Sequence, residues 1–133
     1  MKIDKAILHI NKGVKAAGDI LSFSLCEEGR TTNRYFMNSR NGKTENNVYL
    51  GKAKIMALAA CGFATLPTGD MVNLREVDEI KNLGDYGHKK EGRERLLITF
   101  HKSNHTHDSL LKAGVSGDET VEKLKHEKSL FEM

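Results

Sequence analysis

The sequence predicts a mainly β, α+β fold: a small OB-like barrel or an open sheet carrying one principal helix at about residues 51–61. Three observations carry this expectation. Alternating apolar side chains over residues 18–27 and the apolar run Leu96-Leu97-Ile98 fit strands. The pair Asn41-Gly42 between two such segments is hairpin chemistry, favoured where both turn residues take positive φ. Residues 51–61 then change to helix-forming composition.

Taken in order, Ile3, Ile7 and Ile10 share the i, i+4, i+7 spacing of a helix face, so a short helix is expected before Asn11-Lys12-Gly13. Over residues 18–27, Leu21, Phe23 and Leu25 form the apolar face of a strand. Residues 28–33 are turn chemistry, and residues 34–38 pair back as the second strand. Val48-Tyr49-Leu50 is a short third strand. In the helix, Ile55, Leu58 and Ala59 fall on one face, and Gly62 caps the C-terminal end. Leu66-Pro67-Thr68-Gly69-Asp70 is a turn. Val72, Leu74, Val77 and Ile80 suit a strand followed by a short helical turn, and residues 85–92 form a polar loop. Residues 93–102 are the last strand. The core expected from this order packs Phe23 and Leu25 on Ile55, Leu58 and Ile98. Residues 1–103 would form the OB-like domain. Residues 104–133 would be a polar loop and a charged C-terminal tail or short helix.

With 133 residues, 38% hydrophobic and 29% charged, the chain can bury an ordinary core and does not have the composition of a disordered protein. The apolar stretch at residues 55–66 is too short for a membrane span, and the N-terminus lacks the apolar core of a secretory signal. A cytoplasmic location follows as the expectation. Cys26 and Cys61 lack CxxC spacing and lie among apolar neighbours, which predicts reduced, buried thiols. Residues 1–60 carry ten Lys/Arg against five Asp/Glu, and residues 61–133 carry eleven against thirteen. A basic front half fits either a polyanion surface or ordinary solvated faces.

The cations cluster around the hairpin. Arg30, Arg34, Arg40, Lys43, Lys52 and Lys54 are interleaved with Tyr35, Phe36 and Tyr49. Single-strand binders combine cations that replace counterions along phosphates with rings on which bases stack. The candidate nucleic-acid-binding residues are therefore Arg30, Arg34, Tyr35, Arg40, Lys43, Tyr49, Lys52 and Lys54. The competing reading makes the rings core residues, since half-buried strands favour aromatics. In a strand, Arg34 and Phe36 share one face and Tyr35 and Met37 the other.

The stretches Phe23-Ser24-Leu25, Glu28-Gly29-Arg30, Tyr35-Phe36-Met37, Leu50-Gly51-Lys52 and Ala60-Cys61-Gly62-Phe63 follow one another over about a third of the chain. In that order, residues 23–63 resemble the phage single-stranded-DNA-binding proteins of recombination and replication modules. The chain departs from that pattern in lacking an L-x-G-K strand after the helix, and its tail is only weakly acidic. The resemblance implies an accessory protein of phage or mobile-element replication or recombination that binds single-stranded DNA or RNA. The expected partners are that nucleic acid, a protein recruited through the C-terminal tail, and a second copy of the chain; no membrane is expected. The tail residues Leu130 and Phe131, set within charge, are better explained by a helical turn packed on the body than by partner recruitment.

His101, His105, His107 and Asp108 have the donor types of a zinc site. They lie in what reads as a solvated polar loop, with no cysteine or second carboxylate nearby, so neither metal nor cofactor is expected. The H-E-x-x-H, C-x-x-C and phosphate-loop patterns are absent, and no spacing places a nucleophile beside a base. No enzymatic activity is expected. The alternative from another class is a small phage-type inhibitor or accessory factor that binds a host defence or nucleic-acid-processing complex.

Overall fold

Strand is the commonest regular structure among the described residues, because β-branched and aromatic residues at alternating positions fit a half-buried pleat. The computed structural model describes residues 7–10, 13–26, 34–85 and 92–132. Among these, the strands are β1 (Ile7–Ile10), β2 (Gly13–Ala16), β3 (Ile20–Leu25), β4 (Arg34–Ser39), β5 (Thr44–Tyr49), β6 (Phe63–Thr65), β7 (Met71–Asn73), β8 (Val77–Asp85), β9 (Glu94–Phe100) and β10 (Thr106–Leu110). The helices are α1 (Lys52–Ala60) and α2 (Gly117–Phe131), with single 3-10 turns at Ala17–Asp19 and Leu74–Glu76.

The fold is α+β, and every strand pairing is antiparallel. The strands form a β1-β2 ribbon, a five-stranded sheet ordered β5-β4-β3-β7-β6 and a three-stranded sheet ordered β10-β9-β8. Both larger sheets are open, and no barrel closes among the described residues.

Two cores result. The first joins Ile20, Phe23, Tyr35, Met37, Val48, Leu58, Phe63 and Met71 beneath α1, with Leu25 and Ile55 partly buried against it. The second joins Leu21, Val72, Val77, Ile80, Leu96, Ile98, Phe100, Val121 and Leu124, so α2 and the three-stranded sheet cover part of the opposite face. A bulge in β3 makes this possible. Ile20 pairs with Ser39 and Ser22 with Asn38, which leaves Leu21 as the extra residue. Leu21 turns into the second core while Ile20 and Phe23 stay in the first.

Several expectations are corrected. The first element is strand, not helix: Ile7–Ile10 pairs with Gly13–Ala16, since β-branched isoleucines with a partner strand gain more from a ladder than from helical spacing. Ile3 lies outside the described residues. Ile98 belongs to the second core, away from Phe23 and Leu58. Ala59 is exposed, so α1 buries Leu58 and partly Ile55. In residues 71–83 the helical turn precedes the long strand, because Asn73 caps it by accepting from Arg75 N at 3.3 Å. Residues 104–133 hold β10 where a polar loop is expected, and of the expected tail or short helix the chain takes a helix, α2, longer than α1. The β4–β5 turn has positive φ at Gly42 alone, with Gly42 N–H donating to Ser39 O and Ser39 N–H to Lys43 O. That is a type I turn closed by a glycine bulge. Cys61 is buried, but Cys26 is only half-buried. The Glu28-Gly29-Arg30 turn and most of the polar loop at 85–92 lie outside the described residues.

Candidate nucleic-acid interface

Alternation along β4 decides what faces outward. Tyr35 and Met37 point into the first core, so Arg34 and Phe36 point to the other face. Arg34 is opposite Tyr49 in register, which puts a cation beside a ring on the exposed end of that face. Tyr49 is 59% exposed and Phe36 36%. Beside them runs a polar ladder. Asn38 Nδ2 donates to Ser22 Oγ at 3.0 Å and Ser24 Oγ at 3.3 Å, and Thr44 Oγ1 donates to Asn38 Oδ1 at 3.2 Å. One step further across the sheet, Val72 enters the second core, which bounds the open area. The β5 edge is bulged, with Asn47 at φ +54°, a device that discourages pairing with another strand.

The structure brings some expected residues together and removes others. Arg34 and Tyr49 share the exposed face, and Lys43 is exposed at the hairpin turn. Lys52 and Lys54 occupy the first turn of α1, exposed and half-buried respectively. The Tyr49 ring lies over the start of that helix, with Cε1 3.5 Å from where a Cβ on Gly51 would be. That first turn has no acidic residue and no side-chain cap, so its N–H dipoles and lysines make a locally positive end. Tyr35 is withdrawn from the face: it is 6% exposed and edge-on to Phe23, with ring centroids 6.3 Å apart. Burial, and then the Asp70 carboxylate, push its phenol above the usual range. Arg40 is withdrawn as well. Its guanidinium pairs with Glu76 at 2.9 Å and donates to the His101 carbonyl, beside a cleft of about 300 Å³ that Asp19, Ser39 and Asn41 also line. Arg30 lies outside the described residues. Phe36 is the functional candidate absent from the expected set, although alternation with Tyr35 placed it on the Arg34 face.

The histidines do different work. His107, in β10, is buried, and its Nε2 lies 3.1 Å from Asp70 Oδ2. His101 Nδ1 lies 3.3 Å from Asp78 Oδ1. His105 stacks on Phe100 with centroids 5.8 Å apart, and its Nε2 is buried without a hydrogen-bond partner. Burial, and then the neighbouring His107, hold the His105 imidazole below its ordinary pKa. The solvated-loop expectation is thus corrected for His107. Polar residues can face inward in a strand when they find partners there. Among the described residues no three His, Cys, Asp or Glu side chains are grouped to hold a metal ion.

Among the described residues no helix is long and apolar enough to cross a membrane. No family model, curated protein or solved structure matches the chain.

Proposed function

We propose that the chain is a single-stranded nucleic-acid-binding accessory protein that works through the outward face of β4 and β5. The supporting observation is the register pair Arg34–Tyr49, with Phe36 on the same exposed face and Lys43 and Lys52 at its two ends. Unstacked bases offer π faces that rings accept whatever the sequence, and cations replace the counterions on the phosphates. The open sheet serves this chemistry without a closed barrel. The resemblance of residues 23–63 adds a phage or mobile-element setting and single-stranded DNA or RNA as partner. Phe131 packs against the second core, which leaves exposed Leu130 as the apolar contact for a protein partner at the C-terminus. The reading assigns no catalytic role.

The test is a fluorescence-anisotropy titration of labelled oligothymidylate at two salt concentrations. Saturable binding that weakens steeply with salt is expected. Absence of binding at low salt would remove this reading and leave the protein-binding inhibitor or accessory factor in its place.

A further inference from the structure

Resting on the reading of β4 and β5 as a single-strand platform, we propose that its footprint is about three nucleotides. One base stacks on Tyr49 and one on Phe36, the phosphate between them meets Arg34, and no base edge is read. Arg34 stands opposite Tyr49 and two residues from Phe36 on the same face, so it neighbours both rings. With its bulge, β5 spans the length of five β4 residues, ~17 Å at ~3.4 Å each. An unstacked strand spaced at roughly twice the ~3.4 Å per nucleotide of a duplex strand covers that length with about three nucleotides.

The surroundings limit a longer track. At the hairpin end Arg40 is turned away to Glu76, which leaves Lys43 as the cation there from the expected set. Across the sheet, the second core takes over at Val72. Sequence indifference follows from the stacking itself, since every base has a π face. Both Asn38 amide hydrogens are spent on Ser22 and Ser24, and its oxygen accepts from Thr44. Asn38 is buried as well as satisfied, so it offers no contact to a base edge. Base pairs in a duplex keep their faces stacked and present neither ring with a partner, so duplex DNA should bind through phosphates alone.

The experiment measures affinities of the full-length protein for oligothymidylates and oligoadenylates of increasing length, from dinucleotides to twelve-mers, with a hairpin duplex for comparison. Affinity should rise steeply up to about four nucleotides and then change less than about threefold beyond the statistical factor, alike for both bases. Phe36→Ala and Tyr49→Ala should each lower four-mer affinity about tenfold, and Tyr49→Phe should keep it, with circular dichroism confirming that each variant is folded. An affinity that climbs tenfold or more between four and twelve nucleotides overturns the footprint and leaves the single-strand reading standing. A strong preference for one base, or no effect of both ring deletions, overturns the stacking assignment. No binding at any length removes the footprint and the single-strand reading together.

Discussion

His107 and Asp70 join the two large sheets. The imidazole Nε2 from β10 lies 3.1 Å from Asp70 Oδ2, while Oδ1 of the same carboxylate accepts the Leu25 N–H of β3 at 2.7 Å. The imidazole is 3% exposed and the carboxylate 14%, so water screens the pair little. Thr68 Oγ1 and Ser109 Oγ, 3.2 Å apart, continue the seam, and Asp70 N–H donates to Thr68 Oγ1 at 3.3 Å. His107→Ala leaves a mostly buried carboxylate half-satisfied and should cost about 2–4 kcal/mol. Asp70→Asn retains an oxygen for Leu25 N–H and should cost less. Urea denaturation of both variants checks the order, and equal losses would show that the retained oxygen does not replace the carboxylate's charge.

Acid should weaken the fold through His105. Its folded-state pKa is lowered by burial and by His107, so the unfolded chain takes up the proton first as pH falls. The stabilisation from the neutral ring is complete above the ordinary histidine value and is lost as pH drops from there through the folded-state value. His105→Phe keeps a ring on Phe100 without a titrating nitrogen and should flatten the stability–pH profile as pH falls from the ordinary histidine value through the lower folded-state one. An unchanged slope in that variant assigns the pH dependence to other groups.

Gly62 ends α1 at φ +106°, and a Cβ there would stand 2.7 Å from Arg75 Cγ. Gly62→Ala therefore combines a left-handed backbone with a contact that forces Arg75 to shift, and should cost about 1–3 kcal/mol. Gly42 has φ +85° with nothing within 4 Å of the same position. Gly42→Ala isolates the backbone term and should cost less. Melting temperatures of the two variants give the comparison.

The tyrosines separate binding from packing. Tyr49→Ala should cost roughly 1–3 kcal/mol of single-strand affinity with the salt slope kept. Tyr35→Ala should lower the melting temperature and leave the folded fraction binding normally, because its ring lies in the first core. With Arg34, Lys43 and Lys52 meeting about three phosphates of that footprint, the slope of log affinity against log salt should be near roughly −2, from ~0.7 per contact. Lys43→Ala should reduce that magnitude by ~0.7, while Arg40→Ala should leave it unchanged and destabilise the fold. A loss of slope on removing Arg40 would place its guanidinium on the ligand instead of on Glu76.

Hydrophobic alternation made β3, β4 and β9 legible in the sequence, and composition with Gly62 made α1 legible. What escaped had physical reasons. In β10 the inward positions are His107 and Ser109, buried polar groups whose partners lie about forty residues away, so no apolar period marks the strand. Helix α2 begins with Ser116 accepting from Glu119 N–H at 3.2 Å, and the charged residues that follow leave only a thin apolar face to mark the helix in the sequence. At the site, alternation already separated Arg34 and Phe36 from Tyr35. The loss of Arg40 to Glu76 is a long-range pairing that no local pattern reports.

The Leu21 bulge has a mechanical consequence. Because β3 supplies Ile20 and Phe23 to one core and Leu21 to the other, neither half can melt without exposing apolar surface on a strand the other half needs. The two halves should then act as one cooperative unit, with far-ultraviolet circular dichroism and tyrosine fluorescence tracing superimposable denaturation curves. Deleting Leu21, which removes the extra residue and restores regular alternation between Ile20 and Ser22, should pull those curves apart. The bulge would then be the point through which a disturbance in either core is transmitted to the other.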